Sequence, residues 1–291
     1  MNFLAVDLGG TRLKAGRMSH GESVPSDLLT IEHEGDWRAG LRAAIDHFGD
    51  VAEIALCVPG VVDGGRVTDL PGKLPGIESA DLERELGLPV MTTNDAVAYG
   101  VGEAVHGAGR GHGRVVAVTL GTGVGVAVVE DGAPLGQGPL GGGILGGQLP
   151  LPDPGGGPEG APTDTSGRTG TFEARCRASS LLEQVRAAAD LPAAYALLRA
   201  GDPSAEQGFG TYRSWLSQGL VALALAHAPS AIVVGGGAAQ PELFDGLEEA
   251  IAPHLWQGQK VSVRRAELGD SAALAGLGVL WRGPDTWRIR A

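Results

Sequence analysis

Apolar residues gather in short runs broken by glycine-rich turns, and the first run sets the pattern for the chain. NFLAVDL is an apolar strand that turns at Gly9 and Gly10 and continues as TRLKAGRM, where apolar and polar positions roughly alternate. The two segments predict a β-hairpin opening at residue 2. Strands are expected again in LLTIEH and AEIALCVPG, with a helix between them near WRAGLRAAIDHFG. A turn-rich stretch, VVDGGRVTDLPGKLPG, leads to a short helix near SADLERELG and a strand in PVMTTND. A helix from about residue 96 to 106 ends in GAGRGHG, a glycine-rich break that marks the domain boundary.

Past that break the pattern starts again. RVVAVTLGTGVGVAVVEDG has the same strand, glycine turn and strand, and its AVTLGTG answers the AVDLGGT of the opening hairpin. The repeat divides the chain into an N-terminal domain of residues 1–112 and a C-terminal domain of 113–270. Helices are expected near SSLLEQVRAAAD, LPAAYALLRAG and QGFGTYRSWLSQGLVALALAHA, followed by the strand AIVVGGG and a closing helix over about 271–283. Strands interleaved with helices on this scale predict an α/β architecture with buried sheets. The run LVALALAHAPSAIVV is broken by His227 and Pro229, so it reads as a buried helix entering a buried strand, not a membrane span.

Composition narrows the function classes. A net charge of -12 and a pI near 5.0 argue against nucleic acid as a partner, although a small anion can still be held locally. The two cysteines, Cys57 and Cys176, are far apart and form no C-x-x-C pair, which indicates neither a disulfide framework nor a thiolate metal cluster. MNFLAVDLGG lacks the basic start and long apolar run of a signal peptide, so a cytoplasmic location without membrane attachment is expected. Glycine supplies 49 of 291 residues, a share that implies many tight turns and close backbone approaches.

Three glycine clusters and two carboxylates carry the chemistry. At the hairpin tip, Gly9 and Gly10 let backbone N–H groups approach an anion, Thr11 can donate a hydroxyl, and Asp7 can hold a hydrated Mg²⁺. Gly121, Thr122 and Gly123 form the second Gly/Thr turn, and the two turns together could grip one polyphosphate. Gly235, Gly236 and Gly237 follow the strand AIVV, where close backbone approach suits a base and ribose; the alternative is an ordinary strand-end turn. No G-x-x-x-x-G-K-[ST] loop occurs, and the G-x-G-x-x-G at 141–146 lies in a glycine-saturated run with no good strand before it. Asn94 and Asp95 stand where a strand gives way to a helix. An Asp there can cap the helix, and the same carboxylate can take the proton of a substrate hydroxyl in phosphoryl transfer.

VDLGGTRLKAG, PVMTTNDAVAYGVGE, VAVTLGTGVGVAVVEDG and AIVVGGGAAQPELF occur in the order and spacing of the ROK family of sugar kinases, and the chain resembles that family over almost its whole length. The resemblance implies two actin-like (ribonuclease H-like) domains around a nucleotide and sugar cleft, with the closing helix returning to the first domain. It implies ATP and Mg²⁺, with the nucleotide bound by Asp7, Gly9, Gly10, Thr11, Gly121, Thr122, Gly123 and the Gly235, Gly236, Gly237 cluster. Asp95 becomes the catalytic base, Asn94 and Glu173 sugar contacts, and a homodimer the expected assembly. The activity implied is phosphorylation of a hydroxyl of a hexose, amino sugar or related polyol. The other readings are a sugar- or nucleotide-binding relative that has lost catalysis, and a sugar-responsive transcriptional regulator.

The substrate-side loop, residues 141–173, departs from the family pattern. Members of the family bind a structural zinc there through one His and three Cys, and in this chain those positions hold Gln148, Asp164, Ser166 and Thr171. Zinc prefers imidazole and thiolate, so no zinc is expected. The loop must then be held by its prolines, by hydrogen bonds among Asp164, Ser166 and Thr171, or by a subunit interface. Leu145 replaces a sugar-binding Glu, and Gly72, Lys73, Leu74 and Pro75 stand where the family has a sugar-binding Asn. These changes point away from ordinary glucose specificity, and Lys73 could read an anionic or carbonyl-bearing substrate.

Overall fold

The structure is a computed structural model that describes residues 2–19, 22–25, 27–70, 72–136, 145–153 and 161–281. Residues 141–144 and 154–160 of the expected substrate-side loop, and the closing helix beyond 281, lie outside these. The chain forms two compact units, Met1–Gly111 with Ala127–Ile144 and Leu268–Ala291, and His112–Val126 with Leu145–Glu267.

In chain order the elements up to the break are β1 (Asn2–Leu8), β2 (Arg12–Ser19), β3 (Leu28–Glu32), α1 (Trp37–Phe48), β4 (Ile54–Val58), β5 (Val61–Asp63), β6 (Arg66–Asp69), α2 (Leu82–Leu86), β7 (Val90–Asn94) and α3 (Asp95–Val105). After it come β8 (Arg114–Leu120), β9 (Val124–Glu130), β10 (Ala133–Pro134), α4 (Phe172–Cys176), α5 (Ala178–Gln184), α6 (Leu191–Arg199), α7 (Pro203–His227), β11 (Ala231–Gly235), α8 (Leu247–Ile251), β12 (Ser262–Arg265) and α9 (Ala272–Leu280).

The sheet of the first unit has the order β3-β2-β1-β4-β7, with β1 antiparallel to β2 and parallel to β4. Alternate residues of β1 point to opposite faces. Leu4, Val6 and Leu8 pack with Trp37 and Leu41 of α1, whereas Phe3 and Ala5 pack with Val97 and Val101 of α3 and Leu274 and Leu277 of α9. The contact of α3 with α9 is unusually close. A Cβ on Gly102 would lie 2.0 Å from the Ala272 carbonyl oxygen, and one on Gly276 would lie 1.7 Å from that of Ala98. Residues no larger than alanine therefore set this helix crossing.

Within the turn-rich stretch the structure forms a hairpin, β5 with β6, that the sequence pattern does not show. Gly64 and Gly65 both take positive φ, 54° and 77°, between the paired Asp63 and Arg66. That is the conformation a two-residue hairpin turn requires.

The other five-stranded sheet has the order β10-β9-β8-β11-β12, with β11 parallel to both β8 and β12. Along β9 the chain passes from the second unit to the first at Ala127. Phe209, Tyr212, Leu216, Leu220 and Leu223 give α7 its buried face. The helix ends at His227, Ala228 takes a left-handed φ of 45°, and the chain enters the fully buried β11. Among the described residues no helix is long and apolar enough to cross a membrane.

Candidate active site

In the first unit the candidate residues lie at the C-terminal ends of parallel strands, where open α/β sheets bind ligands. Asp7 is directly opposite Lys14 on β2 and Cys57 on β4, and Cys57 is opposite Thr93 on β7. Opposed residues share a sheet face, so Lys14, Asp7, Cys57 and Thr93 form a polar row across four strands. The neighbouring row on that face, Ala5, Ala55 and Met91, is apolar and buried. Cys57 donates its thiol hydrogen to Asp7 Oδ1 at 3.5 Å, and Lys14 Nζ lies 2.7 Å from Asp270 Oδ1. Burial, then the charges of Asp7 and Asp95, push the Cys57 thiol pKa far up, which keeps the donor proton in place. Burial also raises the pKa of Asp7, against the opposing pull of Lys14 and the Cys57 hydrogen bond.

The hairpin tip is fixed from two sides. Gly9 N–H donates to the Arg12 carbonyl at 2.9 Å, and His33 Nε2 lies 2.9 Å from the Gly9 carbonyl oxygen. A carbonyl can only accept, so Nε2 carries the proton; Nδ1 in turn accepts from Gly35 N–H at 3.2 Å. The backbone N–H of Gly10 has no acceptor among the described residues, and a Cβ at Gly10 would meet Lys73 at 3.7 Å. Thr11 is exposed beside it.

Of the two residues at this junction, Asn94 and not Asp95 caps α3. Asn94 Oδ1 accepts from Val97 N–H at 3.1 Å, while its amide donates to the Gly60 carbonyl at 2.8 Å. Asp95, the first residue of the helix, accepts through Oδ1 from Ala96 N–H at 2.8 Å, the one hydrogen bond of its carboxylate among the described residues. Burial first, and then the charge of Asp7, raises the Asp95 pKa to about 6, against the lowering effect of the Ala96 amide and Lys73. A carboxylate with a pKa in that range can accept a proton near neutral pH and release it again.

The second unit brings its glycine clusters together at the ends of two adjacent strands. Gly235 pairs with Thr119, and Gly236, with φ 91°, packs so tightly that a Cβ would lie 2.6 Å from the Leu120 carbonyl oxygen. Gly121 N–H donates to Gly123 at 3.0 Å, Thr122 is exposed, and Gly237 is open apart from Leu191. Beneath this turn lies Glu173, buried on α4. Its Oε2 accepts from Val124 N–H at 3.0 Å, and its Oε1 accepts from the amide and hydroxyl of Thr165 at 2.8 and 2.5 Å. A Cβ on Gly123 would come within 2.6 Å of Oε2, so the glycine is what admits the carboxylate.

Glu173 also ties the glycine turn to the substrate-side loop, where the four residues at the zinc-ligand positions are bonded to one another. Asp164 Oδ1 accepts from the Ser166 amide and hydroxyl at 2.9 and 2.7 Å and from the Arg168 amide at 2.9 Å. Its Oδ2 accepts from the Thr171 hydroxyl at 2.9 Å, and Gln148 Oε1 receives the Ser166 hydroxyl at 3.4 Å. Thr171 then caps α4 by accepting from Ala174 N–H at 3.1 Å. Of the devices open to this loop, side-chain hydrogen bonds are therefore in place. Among the described residues no group of three or more His, Cys, Asp or Glu is arranged to hold a metal ion.

Residues 3–283 match the ROK family. The chain belongs to the ROK family. It is similar to the N-acetylgalactosamine kinase AgaK of Shewanella sp. (strain ANA-3), with 29% identity over 97% of each chain. It is also 28% identical to the glucokinase of Streptomyces coelicolor, over 97% of this chain and 98% of that one. Among solved structures, a ROK family glucokinase from Streptomyces griseus in complex with glucose and AMPPNP is similar at a TM-score of 0.75, with 25% identity, covering 97% of this chain and 99% of that chain. The architecture is the α/β fold with two actin-like domains.

In this ROK protein Asp7, Gly9, Gly10, Thr11, Asn94 and Asp95 fall in the first unit, and Gly121, Thr122, Gly123, Glu173, Gly235, Gly236 and Gly237 in the second. Lys14, Cys57 and His33 support the first group without having been singled out in the sequence. Lys14 and its register partner Asp7 are symmetric about Gly10-Thr11, one residue beyond the Gly9-Gly10 pair, and counting from the glycines alone would have placed Arg12 opposite Asp7. His33 carries no signal of this kind.

Proposed function

We propose that this ROK protein is an ATP-dependent kinase that phosphorylates a hydroxyl of a hexose, amino sugar or related polyol, with Asp95 as general base. One observation carries the reading: Asn94 takes over the capping of α3, which leaves Asp95 Oδ2 without a hydrogen bond among the described residues. Similarity to kinases of N-acetylgalactosamine and glucose supports the acceptor class.

In this reading Asp95 takes the proton of the acceptor hydroxyl as that oxygen attacks the terminal phosphorus. Gly9, Gly10 and Thr11 in the first unit, and Gly121, Thr122, Gly123, Gly235, Gly236 and Gly237 in the second, are the nucleotide-binding residues. Asn94 and Glu173 meet the sugar with what their existing bonds leave, one amide hydrogen and the remaining lone pair. A hydrated Mg²⁺ needs few protein ligands, and Asp7 fits as one, since among the described residues only its Oδ1 is engaged. When bound, the ion supplies charge neutralisation for the phosphates. A cytoplasmic homodimer belongs to the same reading and is measured by sedimentation.

ADP release from ATP and Mg²⁺ over a panel of hexoses, amino sugars and polyols tests the proposal. Turnover of one class well above the rest is the expected result. Sugar binding without turnover would replace the enzyme by a binding protein.

A further inference from the structure

Lys73 occupies a defined place and has no partner among the described residues. It sits on the loop after β6, which is pinned to α1 because Trp37 Nε1 donates to the Pro75 carbonyl at 3.0 Å and Arg38 reaches the carbonyls of Pro75 and Gly76. Leu74 and Ile77 are buried, and Ile77 N–H closes the turn on the Leu74 carbonyl at 3.1 Å. Lys73 itself is half-buried, with its Cβ and Cγ 3.7 and 3.9 Å from where a Cβ on Gly10 would stand. Its ammonium makes no hydrogen bond or ion pair among the described residues, although its charge reaches Asp95.

We propose that the Lys73 ammonium contacts the terminal phosphate of the bound nucleotide and carries its negative charge during transfer to the acceptor. The inference rests on the kinase reading. The Gly9–Gly10 turn marks the donor side and Asp95 the acceptor side, and Lys73 is next to the first and within electrostatic reach of the second. A phosphoryl group passing between them spreads charge over three oxygens. An ammonium with three rotatable donors on a flexible stem can follow that group as a point charge. As the acceptor oxygen bonds to phosphorus, its proton passes to Asp95, and the bond to the bridging oxygen breaks, its electron pair leaving with the diphosphate. Lys73 neither gains nor loses a proton. An ammonium unpaired among the described residues and beside a glycine tip is thereby explained, since a preorganised charge costs no rearrangement when the reaction occurs.

The test compares Lys73→Met and Lys73→Arg with the parent protein in ATP and ADP binding by titration calorimetry with Mg²⁺, and in turnover of the best sugar from the panel. For Lys73→Met the expectation is an ATP affinity lower by about tenfold with ADP affinity unchanged, and kcat lower by about 10²-fold at similar acceptor KM. Lys73→Arg restores part of both. Parent-like ATP affinity and turnover in Lys73→Met overturn the proposal. A raised acceptor KM at unchanged kcat also overturns it, and assigns Lys73 to an anionic or carbonyl group of the acceptor. Equal loss of ATP and ADP binding without rescue by Arg overturns it too, as the signature of a misshapen loop. If the parent turns over no sugar, the kinase reading fails, while the ATP against ADP comparison still decides the role of Lys73.

Discussion

Thr171 donates its hydroxyl to Asp164 Oδ2 at 2.9 Å, while Oδ1 of the same carboxylate gathers Ser166 and Arg168. One acidic side chain thus does the cross-linking that the family resemblance assigns to a metal. Asp164→Ala leaves these donors unpaired, the Thr171 hydroxyl among them buried, and is expected to cost about 3 kcal/mol of stability in urea unfolding. A loss below about 1 kcal/mol would show that the prolines or a partner subunit hold the loop instead.

The same carboxylate predicts how the loop responds to acid and to chelators. Burial alone would raise its pKa, but the hydrogen bonds from Ser166, Arg168 and Thr171 outweigh that and hold it below the ordinary 3.8. A folded pKa below the unfolded one gives stabilisation that is complete above the unfolded value and is lost as pH falls through the folded one. Melting temperature is therefore expected to lose this contribution only below about pH 4, and Asp164→Ala to flatten the slope there. At neutral pH a strong zinc chelator should leave the melting temperature unchanged; a fall of several degrees would place a metal in the loop.

With Asp95 raised to about 6, the acid limb of kcat/KM is expected at about pH 6, with activity rising as the carboxylate ionises and level above it. Asp95→Asn should lower kcat by roughly 10²-fold or more while ATP binding persists. Near-parent turnover in that variant, or a limb near the ordinary carboxylate value, would remove Asp95 from the role of base.

Gly276→Ala places a methyl group 1.7 Å from the Ala98 carbonyl oxygen, so α3 and α9 must separate. The expected cost is about 1–3 kcal/mol, read by urea or thermal unfolding. Gly258→Ala, at a site where nothing lies near the added Cβ but φ is 86°, isolates the strain of a positive φ from that of overpacking.

Local chemistry made part of this legible. A strand entering Gly9-Gly10 or Gly121-Thr122-Gly123 announces its turn within a few residues, and so does the start of α3. The choice of cap between Asn94 and Asp95 was not, because both residue types cap well and only the Gly60 contact orients Asn94. Partners distant in sequence were beyond reach. His33 meets Gly9 across 24 residues and Val124 meets Glu173 across 49, and no periodicity encodes either pair. β12 escaped because four residues ending in two arginines become a strand only beside the buried β11.

The small-residue seam between α3 and α9 has a bearing on how variation in this chain should be read. Asp95 begins the helix that α9 presses against, and Asp270, one turn ahead of α9, holds the Lys14 that stands opposite Asp7. The last described helix thus acts as a splint for both carboxylates. Random mutagenesis screened for lost turnover should return substitutions between 270 and 280, at positions far along the chain from every glycine turn, and nucleotide affinity should separate them from lesions in the turns themselves.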